Sequence, residues 1–241
     1  MTQDGRLIRG ERTRAAVLDQ ALLLATVSGL DGLTLSQVAD ALRVSKSGLF
    51  AHWRSKEALQ LAVIDHARAQ WTELVVRPAR DAPAGLRRLW AVHDSRLAFY
   101  ESGVLPGGCF FANAHFEFNA RPGTVRDRLA AELRDWMAFL TRTAAEAIAL
   151  GEVRADVTAA GLAYHTESLG VCAVMQAPVL GTEPTFRQAR QAHLDHLRSI
   201  AIHPFPPVPP SSPSLPFSPS LPFSPSSPFS PSSPFSPTEL T

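Results

Sequence analysis

Apolar side chains recur every three or four residues along most of the first two hundred positions, which is the spacing of one face of an α-helix. One such stripe runs through Val125, Leu129, Leu133 and Leu140. No stretch alternates with a period of two over a useful length, so the pattern predicts an all-α fold class. The predicted helices span residues 12–28, 35–42, 45–53, 55–77, 84–102, 109–119, 122–151, 157–180 and 185–202.

Residues 33–59 carry the most informative local pattern, with two short helices and the start of a third. Thr34 and Gln37 have the spacing of a capping box, which predicts a helix that begins near Leu35. Arg43 and Val44 form the turn, and Ser45 caps the second helix. This is helix-turn-helix spacing, and the second helix offers Lys46, Ser47 and His52 to solvent while Leu49 and Phe50 face inward. Such an element suits the major groove of DNA.

The charge of the whole chain does not by itself indicate nucleic acid, because the formal net charge is only +1. Any DNA binding must therefore depend on a local basic patch. The first 56 residues contain one, and both lysines of the chain lie in it. Its cations are Arg6, Arg9, Arg12, Arg14, Arg43, Lys46, Arg54 and Lys56, against Asp4, Glu11, Asp19, Asp31 and Asp40.

The two cysteines, Cys109 and Cys172, are too few for a disulfide framework and suit a reducing compartment. Charged residues interrupt the N-terminus, so it does not read as a signal peptide. No apolar run approaches the eighteen or so residues of a spanning helix. We therefore expect a cytoplasmic protein that makes no use of a membrane.

Residues 204–241 differ in kind from the rest. A proline stands at every third position from 213 to 237, and a phenylalanine at every sixth. Period three matches polyproline II, which predicts an extended, low-complexity tail. PxxP spacings occur here, but no flanking basic residue would orient a ligand of that type. The tail is therefore interpreted as a binding motif, as a non-functional or lineage-specific segment, or as a reading-frame extension from a slipped repeat.

Residues 44–59 resemble the N-terminal domain of the TetR family of bacterial transcription regulators, in the Val-Ser turn, the short aromatic-bearing helix and the Ser-Lys-Glu-Ala-Leu segment. The likeness extends through the first helix and covers about the first sixty residues. Three residues depart from the family pattern: Arg43 stands in place of Gly, Phe50 in place of Tyr and Trp53 in place of Phe. A left-handed Arg43 would cost roughly 1 kcal/mol, and Phe50 lacks the hydroxyl of one expected phosphate contact.

The resemblance implies a DNA-binding domain at residues 1–56 with three helices, and an effector-binding and dimerisation domain at residues 57–203 with six. It also implies a homodimer on a palindromic double-stranded DNA operator, since one helix-turn-helix reads only a few base pairs. The residues expected to contact DNA are Thr34, Ser36, Arg43, Ser45, Lys46, Ser47, Phe50, His52, Arg54 and Lys56.

The last two helices are the expected dimer surface. Small residues there permit close helix approach and large ones supply apolar area. They are Gly161, Leu162, Ala163, Ser168, Leu169, Gly170, Val171, Ala173, Val174 and Met175.

Residues 106–122 also resemble the start of the ligand domain in one branch of that family, where a Gly-Cys pair opens a helix. The resemblance implies a cavity for an unknown small-molecule effector. Aromatic residues at helical spacing also suit plain core, so each lining residue has two readings. The candidate lining residues are Trp71, Phe99, Cys109, Phe110, Phe116, Trp136, Phe139 and His165.

Cys109 has two readings as well, a buried hydrophobe or a thiolate activated at a helix N-terminus and open to electrophiles. Cys172, in an apolar helix, is expected to react more slowly. A catalytic grouping of Cys109 with His115 and Glu117 fails on helical geometry, because six residues place the first two about 120° apart. His193 and His196 have no supporting metal ligand, and we expect neither a metal nor a cofactor.

These observations predict a ligand-responsive repressor and not an enzyme. The alternative is a helical small-molecule-binding protein, or a thiol-based electrophile sensor acting through Cys109, with weak or lost DNA binding.

Overall fold

The structure is a computed structural model that describes the backbone of residues 3–50 and 52–205, and the side chains of residues 14–49 and 52–205. The side chain of Phe50, those of Arg6, Arg9 and Arg12, and the predicted tail beyond residue 205 lie outside the described residues. None of the described helices combines the length and the apolar character that a bilayer crossing requires.

The described residues are helical throughout, apart from turns and one isolated bridge between Val153 and Ala201, and this confirms the all-α fold class. The helices are α1 (Gln3–Ser28), α2 (Leu35–Leu42), α3 (Lys46–Phe50), α4 (Lys56–Trp71), α5 (Arg77–Asp81), α6 (Leu86–Glu101), α7 (Phe110–Phe118), α8 (Thr124–Ala149), α9 (Ala159–Leu180) and α10 (Thr182–Ile200).

The prediction that Arg77 and Pro78 stop the fourth helix is wrong. A π-helical turn, Thr72–Val76, joins α4 to α5, and the Arg77 amide donates to the Thr72 carbonyl five residues back. Pro78 then falls in the first turn of α5, directly after the π-helical turn, which carries the helix past the proline. The chain therefore continues as one helical rod from Lys56 to Asp81.

One hydrophobic core joins the helix-turn-helix segment to the later helices. Leu22 of α1, Leu49 of α3 and Ile64 of α4 belong to the same buried cluster as Phe110 of α7 and Leu129 of α8. Helix α4 packs against both α1 and α8. Helices α7 and α8 therefore share packing contacts with the helices that carry the helix-turn-helix.

The expected dimer surface on α9 is only partly correct. Leu162, Ala163, Gly170, Ala173 and Val174 are buried within the chain, because α9 packs against α6, α8 and α10 through that face. The opposite face exposes Tyr164, Cys172, Met175 and Val179. Of the expected residues, Gly161 and Met175 are exposed, and Tyr164 and Val179 join Met175 on the outward face.

Four histidines lie together where α6, α9 and α10 meet. The rings of His93 and His193 are 4.5 Å apart, and those of His165 and His196 stack at 3.8 Å. The rings of the first pair are tilted by 43° and those of the second by 28°. Among the described residues no group of three His, Cys, Asp or Glu side chains has a metal-binding arrangement.

Burial lowers the pKa of all four histidines. It lowers the pKa of His193 to about 3 and that of His93 well below its ordinary value. Arg96 adds a repulsive charge to both, and His93 donates one hydrogen bond to the Ala189 carbonyl. The folded protein therefore resists taking up protons that the unfolded chain takes up below about pH 6.5.

We predict that the free energy of unfolding falls as the pH is lowered from 7 towards 5. Each buried histidine contributes up to about 1.4 kcal/mol per pH unit, because its folded pKa is depressed and stability is lost on acidification. His193→Phe, which keeps a flat ring beside Trp90, should make that dependence shallower in urea titrations at several pH values. The control is His203→Ala at an exposed position. An unchanged pH dependence in His193→Phe would contradict the prediction.

Candidate DNA-binding surface and internal cavity

The first helix of the motif begins at the predicted capping box. The Gln37 amide donates to the Thr34 hydroxyl at 3.2 Å, and the Gln37 side chain accepts from the Thr34 amide at 2.8 Å. Leu35, Val38 and Ala39 of α2 are buried. Both halves of the capping prediction are confirmed, so α2 presents a fixed inner face to the core.

Arg43 adopts the left-handed conformation that the departure from glycine predicts, with φ 55° and ψ 40°. Its amide donates to the carbonyls of Ala39 and Asp40, and the Val44 amide donates to Ala39 at 3.0 Å. These bonds close α2 and offset the cost of the strained residue. The Arg43 side chain is exposed at the turn.

The second helix of the motif is shorter than predicted, because α3 ends at Phe50 and not near Trp53. The amides of His52 and Trp53 both donate to the Leu49 carbonyl, and Ser55 is extended so that its hydroxyl can cap α4. Trp53 is buried under the Arg14 guanidinium, which lies 5.2 Å from the ring.

Most of the residues expected to contact DNA are on the surface. Ser36 is half-buried, and the others with described side chains are exposed: Thr34, Arg43, Ser45, Lys46, Ser47, His52, Arg54 and Lys56. Lys56 is already paired with Asp31 at 3.2 Å. Arg43, Lys46 and Arg54 have no carboxylate within ion-pair distance among the described residues, so they are the cations open to an anionic partner.

Asp31, in the loop between α1 and α2, forms ion pairs with two cations from different parts of the chain. It accepts from Lys56 at the start of α4 and from Arg121 after α7. These hydrogen bonds, that from Lys56 first, lower the pKa of the Asp31 carboxyl. The loop is thereby tied to elements on both sides of it.

Glu117 of α7 holds the same loop through its backbone. Its carboxylate accepts from the Leu30 amide at 2.7 Å and from the Asp31 amide at 3.0 Å. Gly29, with φ 84°, allows this approach, since a Cβ there would lie 2.6 Å from Glu117. We call these contacts the Glu117 clasp. Glu117 is therefore a link to the helix-turn-helix, a role that the sequence did not indicate because its partners lie 86 and 87 residues away.

The loop before α7 is also hydrogen-bonded to the end of α1. The Gly107 amide donates to the Thr26 hydroxyl at 3.3 Å, and a Cβ on Gly107 would lie 1.8 Å from the Thr26 carbonyl. The Asn113 side chain donates to the Gly107 carbonyl at 2.9 Å. Helix α7 and the loop before it are thus bonded to the end of α1 here, and to the loop after α1 at the Glu117 clasp.

The opposite side of α7 lines an internal cavity of about 460 Å³, between α4, α5, α6, α8 and α9. Phe111, Ala112 and His115 of α7 face this cavity. Of the eight side chains expected there, four line it, namely Trp71, Cys109, Trp136 and Phe139.

The other four expected lining residues do not reach the cavity. Phe99 packs edge-on against Trp71 from behind, and Phe110 is buried in the core, where its ring meets that of Phe111 at 75°. Phe116 is 62% exposed, and His165 stacks in the histidine cluster. Neighbours on a helix point in directions about 100° apart, so the register of α7 selects Phe111 over Phe110.

The deep end of the cavity contains a buried ion pair that the sequence analysis missed. Arg96 is 1% exposed and donates to Glu167 at 2.6 Å and to the Thr166 carbonyl at 2.5 Å. The Trp136 indole donates to the same Glu167 carboxylate at 2.6 Å. Gly170 makes room for the guanidinium, since a Cβ there would lie 1.7 Å from it. In sequence, an arginine among apolar residues of a helix resembles an ordinary surface charge.

Cys109 caps α7, and its sulfur accepts from the Ala112 amide at 3.4 Å. It is buried, and burial raises the pKa of the thiol despite a hydrogen bond with Tyr100. The interpretation as an activated, accessible thiolate is therefore not supported by its surroundings. Cys172, expected to be the slower thiol, is the exposed one.

The catalytic grouping is also excluded by contacts. His115 bonds to the Leu129 carbonyl at 3.1 Å, and Glu117 is occupied by the two loop amides. Neither side chain is directed to the Cys109 sulfur, whose partners are Tyr100 and Ala112. The three residues serve packing and linkage.

Two family models match the chain. One, described as bacterial regulatory proteins of the tetR family, matches residues 17–63, and the other, described as a tetracyclin repressor-like C-terminal domain, matches residues 85–193. Together they include the helix-turn-helix and most of the helices around the cavity. No curated protein matches the chain.

Solved structures share the fold. A TetR transcriptional regulator from Chloroflexus aurantiacus J-10-FL is 28% identical, with a TM-score of 0.74 over 80% of this chain and 98% of that one. A cysteine mutant of CifR in complex with operator DNA is 24% identical, with a TM-score of 0.64 over 75% and 95%. AibR in complex with isovaleryl coenzyme A and operator DNA is 20% identical, with a TM-score of 0.61 over 73% and 95%.

The Glu117 clasp yields a prediction. Glu117→Ala leaves the amides of Leu30 and Asp31 without an acceptor, which should lower the free energy of unfolding by about 1 to 3 kcal/mol. Native-state hydrogen exchange should show both amides exchanging faster than in the wild type. Glu183→Ala, at an exposed i,i+4 pair with Arg187, is the control and should change stability by less than about 0.5 kcal/mol. Unaltered protection of the two amides in Glu117→Ala would show that the clasp does not hold the loop.

Proposed function

Because this chain belongs to the TetR family of bacterial transcription regulators, we propose that it is a cytoplasmic, ligand-responsive repressor. It binds a palindromic operator as a homodimer and is released from DNA by a small molecule. The observation that carries the proposal is the double role of α7, which lines the cavity with Phe111, Ala112 and His115 and holds the loop between α1 and the helix-turn-helix with Glu117.

The DNA-reading surface consists of α3 and the residues next to it. Lys46, Ser47 and His52 are assigned to base edges, because exposed side chains of the second motif helix enter the major groove. Thr34, Ser45, Arg54 and Lys56 are assigned to phosphates, with Ser36, Arg43 and Phe50 beside them. Lys56 serves in two capacities, since its pairing with Asp31 also fixes the start of α4.

Homodimerisation is assigned to the outward face of α9 together with α10. Tyr164, Met175 and Val179 are 57% to 82% exposed in the single chain, which is unusual for large apolar side chains that recur along one face of a helix. A second copy would bury them and would set two motifs on one operator. The head at residues 1–56 and the body at 57–203 are proposed units that share a core.

Release requires that the effector distinguish two positions of the head. The helical rod from Lys56 to Asp81 begins at the head and supplies Arg68, Trp71 and Arg80 to the cavity. A ligand that displaces this rod or α7 changes the separation of the two motifs in the dimer, and operator affinity falls. Structures similar in fold were solved with operator DNA, and one also with isovaleryl coenzyme A.

The test of the function distinguishes side chains that contact base edges from side chains that contact DNA phosphates. Arg54→Ala should weaken specific and non-specific binding alike and reduce the log–log salt slope by about 1, because phosphate contacts release counterions. Lys46→Ala should cost roughly 1 to 3 kcal/mol on the operator and relax the preference at one base pair. Both are measured on the DNA upstream of the gene and on a scrambled duplex across a salt series.

The matched control is Arg87→Gln, an exposed arginine on α6 far along the chain from the motif, which should alter neither quantity. A wild type without preference between the two duplexes at physiological salt would end the DNA-reading hypothesis. The helical small-molecule-binding protein would then take its place.

A further inference from the structure

One part of the cavity wall is aromatic, and Trp71 stands at a steep angle to two of its neighbours there. The ring of Trp71 meets that of Trp136 edge-on at 5.3 Å and that of Phe111 at 6.4 Å. Phe139 lies 5.6 Å from Trp136. Edge-to-face rings leave slots of apolar surface between them, so the body of a ligand held here must be apolar.

The buried charge at the deep end is not free to bind a ligand. Glu167 receives hydrogen bonds from both Arg96 and Trp136, and the second terminal nitrogen of Arg96 bonds to the Thr166 carbonyl. The remaining nitrogen, Nε, has no hydrogen-bond partner and lies against Gly170 of α9, where a Cβ would come within 2.2 Å of it. The charges of Arg96 and Glu167 compensate each other, so a charged group of a ligand has no uncompensated counterpart at that end.

The mouth of the cavity differs, since its cations outnumber the carboxylates that pair with them. Arg68 forms ion pairs with Glu132 at 3.0 Å and with Asp135 at 3.2 Å, and Glu132 also forms an ion pair with Arg128. Arg80 and Arg142 have no carboxylate within 4.0 Å in the described part of the chain. Two guanidinium groups at the mouth are therefore uncompensated.

These two arginines lie beside the aromatic wall. The Arg80 guanidinium is 5.7 Å from the centre of the Phe139 ring, and Arg142 follows Phe139 by one turn of α8. Both line the cavity. An acidic group at the mouth would meet one or both of them while an attached apolar body occupied the space between the rings.

We propose, on the basis of the function proposed above, that the effector is an amphipathic organic anion. Its apolar body lies between Trp71, Trp136 and Phe139, and its acidic group lies at the mouth against Arg80 and Arg142. Guanidinium recognises carboxylate and phosphate through the same paired hydrogen bonds, so either group satisfies the chemistry. The volume of about 460 Å³ lies within the range of small-molecule sites.

The experiment is calorimetric titration of the full chain with four probes that share one flat body and differ in the head group. They are 2-naphthoate, 2-naphthyl phosphate, 2-naphthalenemethanol and 2-naphthylmethylamine. The two anions should bind about tenfold more tightly than the alcohol, as one charge-assisted hydrogen bond contributes. The amine should bind most weakly, and the order of the two anions identifies the preferred acidic group.

The variants localise the effect. Arg80→Gln and Arg142→Gln should each weaken the better anion about tenfold and leave the alcohol unchanged, since only the charge is removed. Arg87→Gln, which removes an exposed arginine outside the cavity, should leave all four affinities unchanged.

The outcomes separate the two proposals. Equal affinity for the alcohol and the anions, or the same loss in Arg87→Gln as in the cavity variants, overturns the anionic effector and leaves the effector cavity intact. Absence of binding by all four probes counts against the cavity as an effector site, and the proposed ligand response then falls with it. Operator binding is measured separately and is not affected by either result.

Discussion

A guanidinium that is 1% exposed must be neutralised where it lies, and Arg96 of α6 imposes this requirement on two neighbouring helices. Helix α9 supplies the Glu167 carboxylate, the Thr166 carbonyl and the space at Gly170. Helix α8 supplies Trp136, whose indole shares the carboxylate. Because Trp136 is fixed in this way, one wall of the cavity has a defined position, and the cavity remains open where an apolar core would have closed.

The far end of the molecule depends on that wall through α7. Cys109 caps α7 from inside the cavity, and Phe111 leans on Trp71 there. Eight residues after Cys109, Glu117 binds the loop that follows α1. Helix α7 thus has one side in the cavity and the other on the loop before α2. The buried ion pair, the cavity wall and that loop are joined by a continuous series of contacts.

The sequence predicts what depends on neighbours along the chain and fails where distant elements decide. The Thr34 capping box and the left-handed Arg43 follow from residues within one turn, and both were predicted. The helix stripes also predict burial, but they do not say which element covers a face. Phe110 and Phe111 are equivalent in sequence, and only the packing of α7 on α8 separates core from cavity. The partners of Glu117 and Arg96 lie about 70 to 90 residues away, beyond the reach of any local pattern.

The π-helical turn shows how one local irregularity serves the cavity. In an α-helix four residues advance by about 400°, so successive i,i+4 side chains drift by about 40° around the axis. A π turn advances by roughly 82° per residue, since it closes its hydrogen bond one residue later. From Thr72 to Val76 the side-chain direction therefore turns back by about 30°. From Val76 to Arg80 it turns forward again by about 40°, as in an α-helix. The three side chains return to nearly one line, and all three face the cavity. Without the extra residue Arg80 would point about 80° away from Thr72, and the mouth would lose one of its two uncompensated cations.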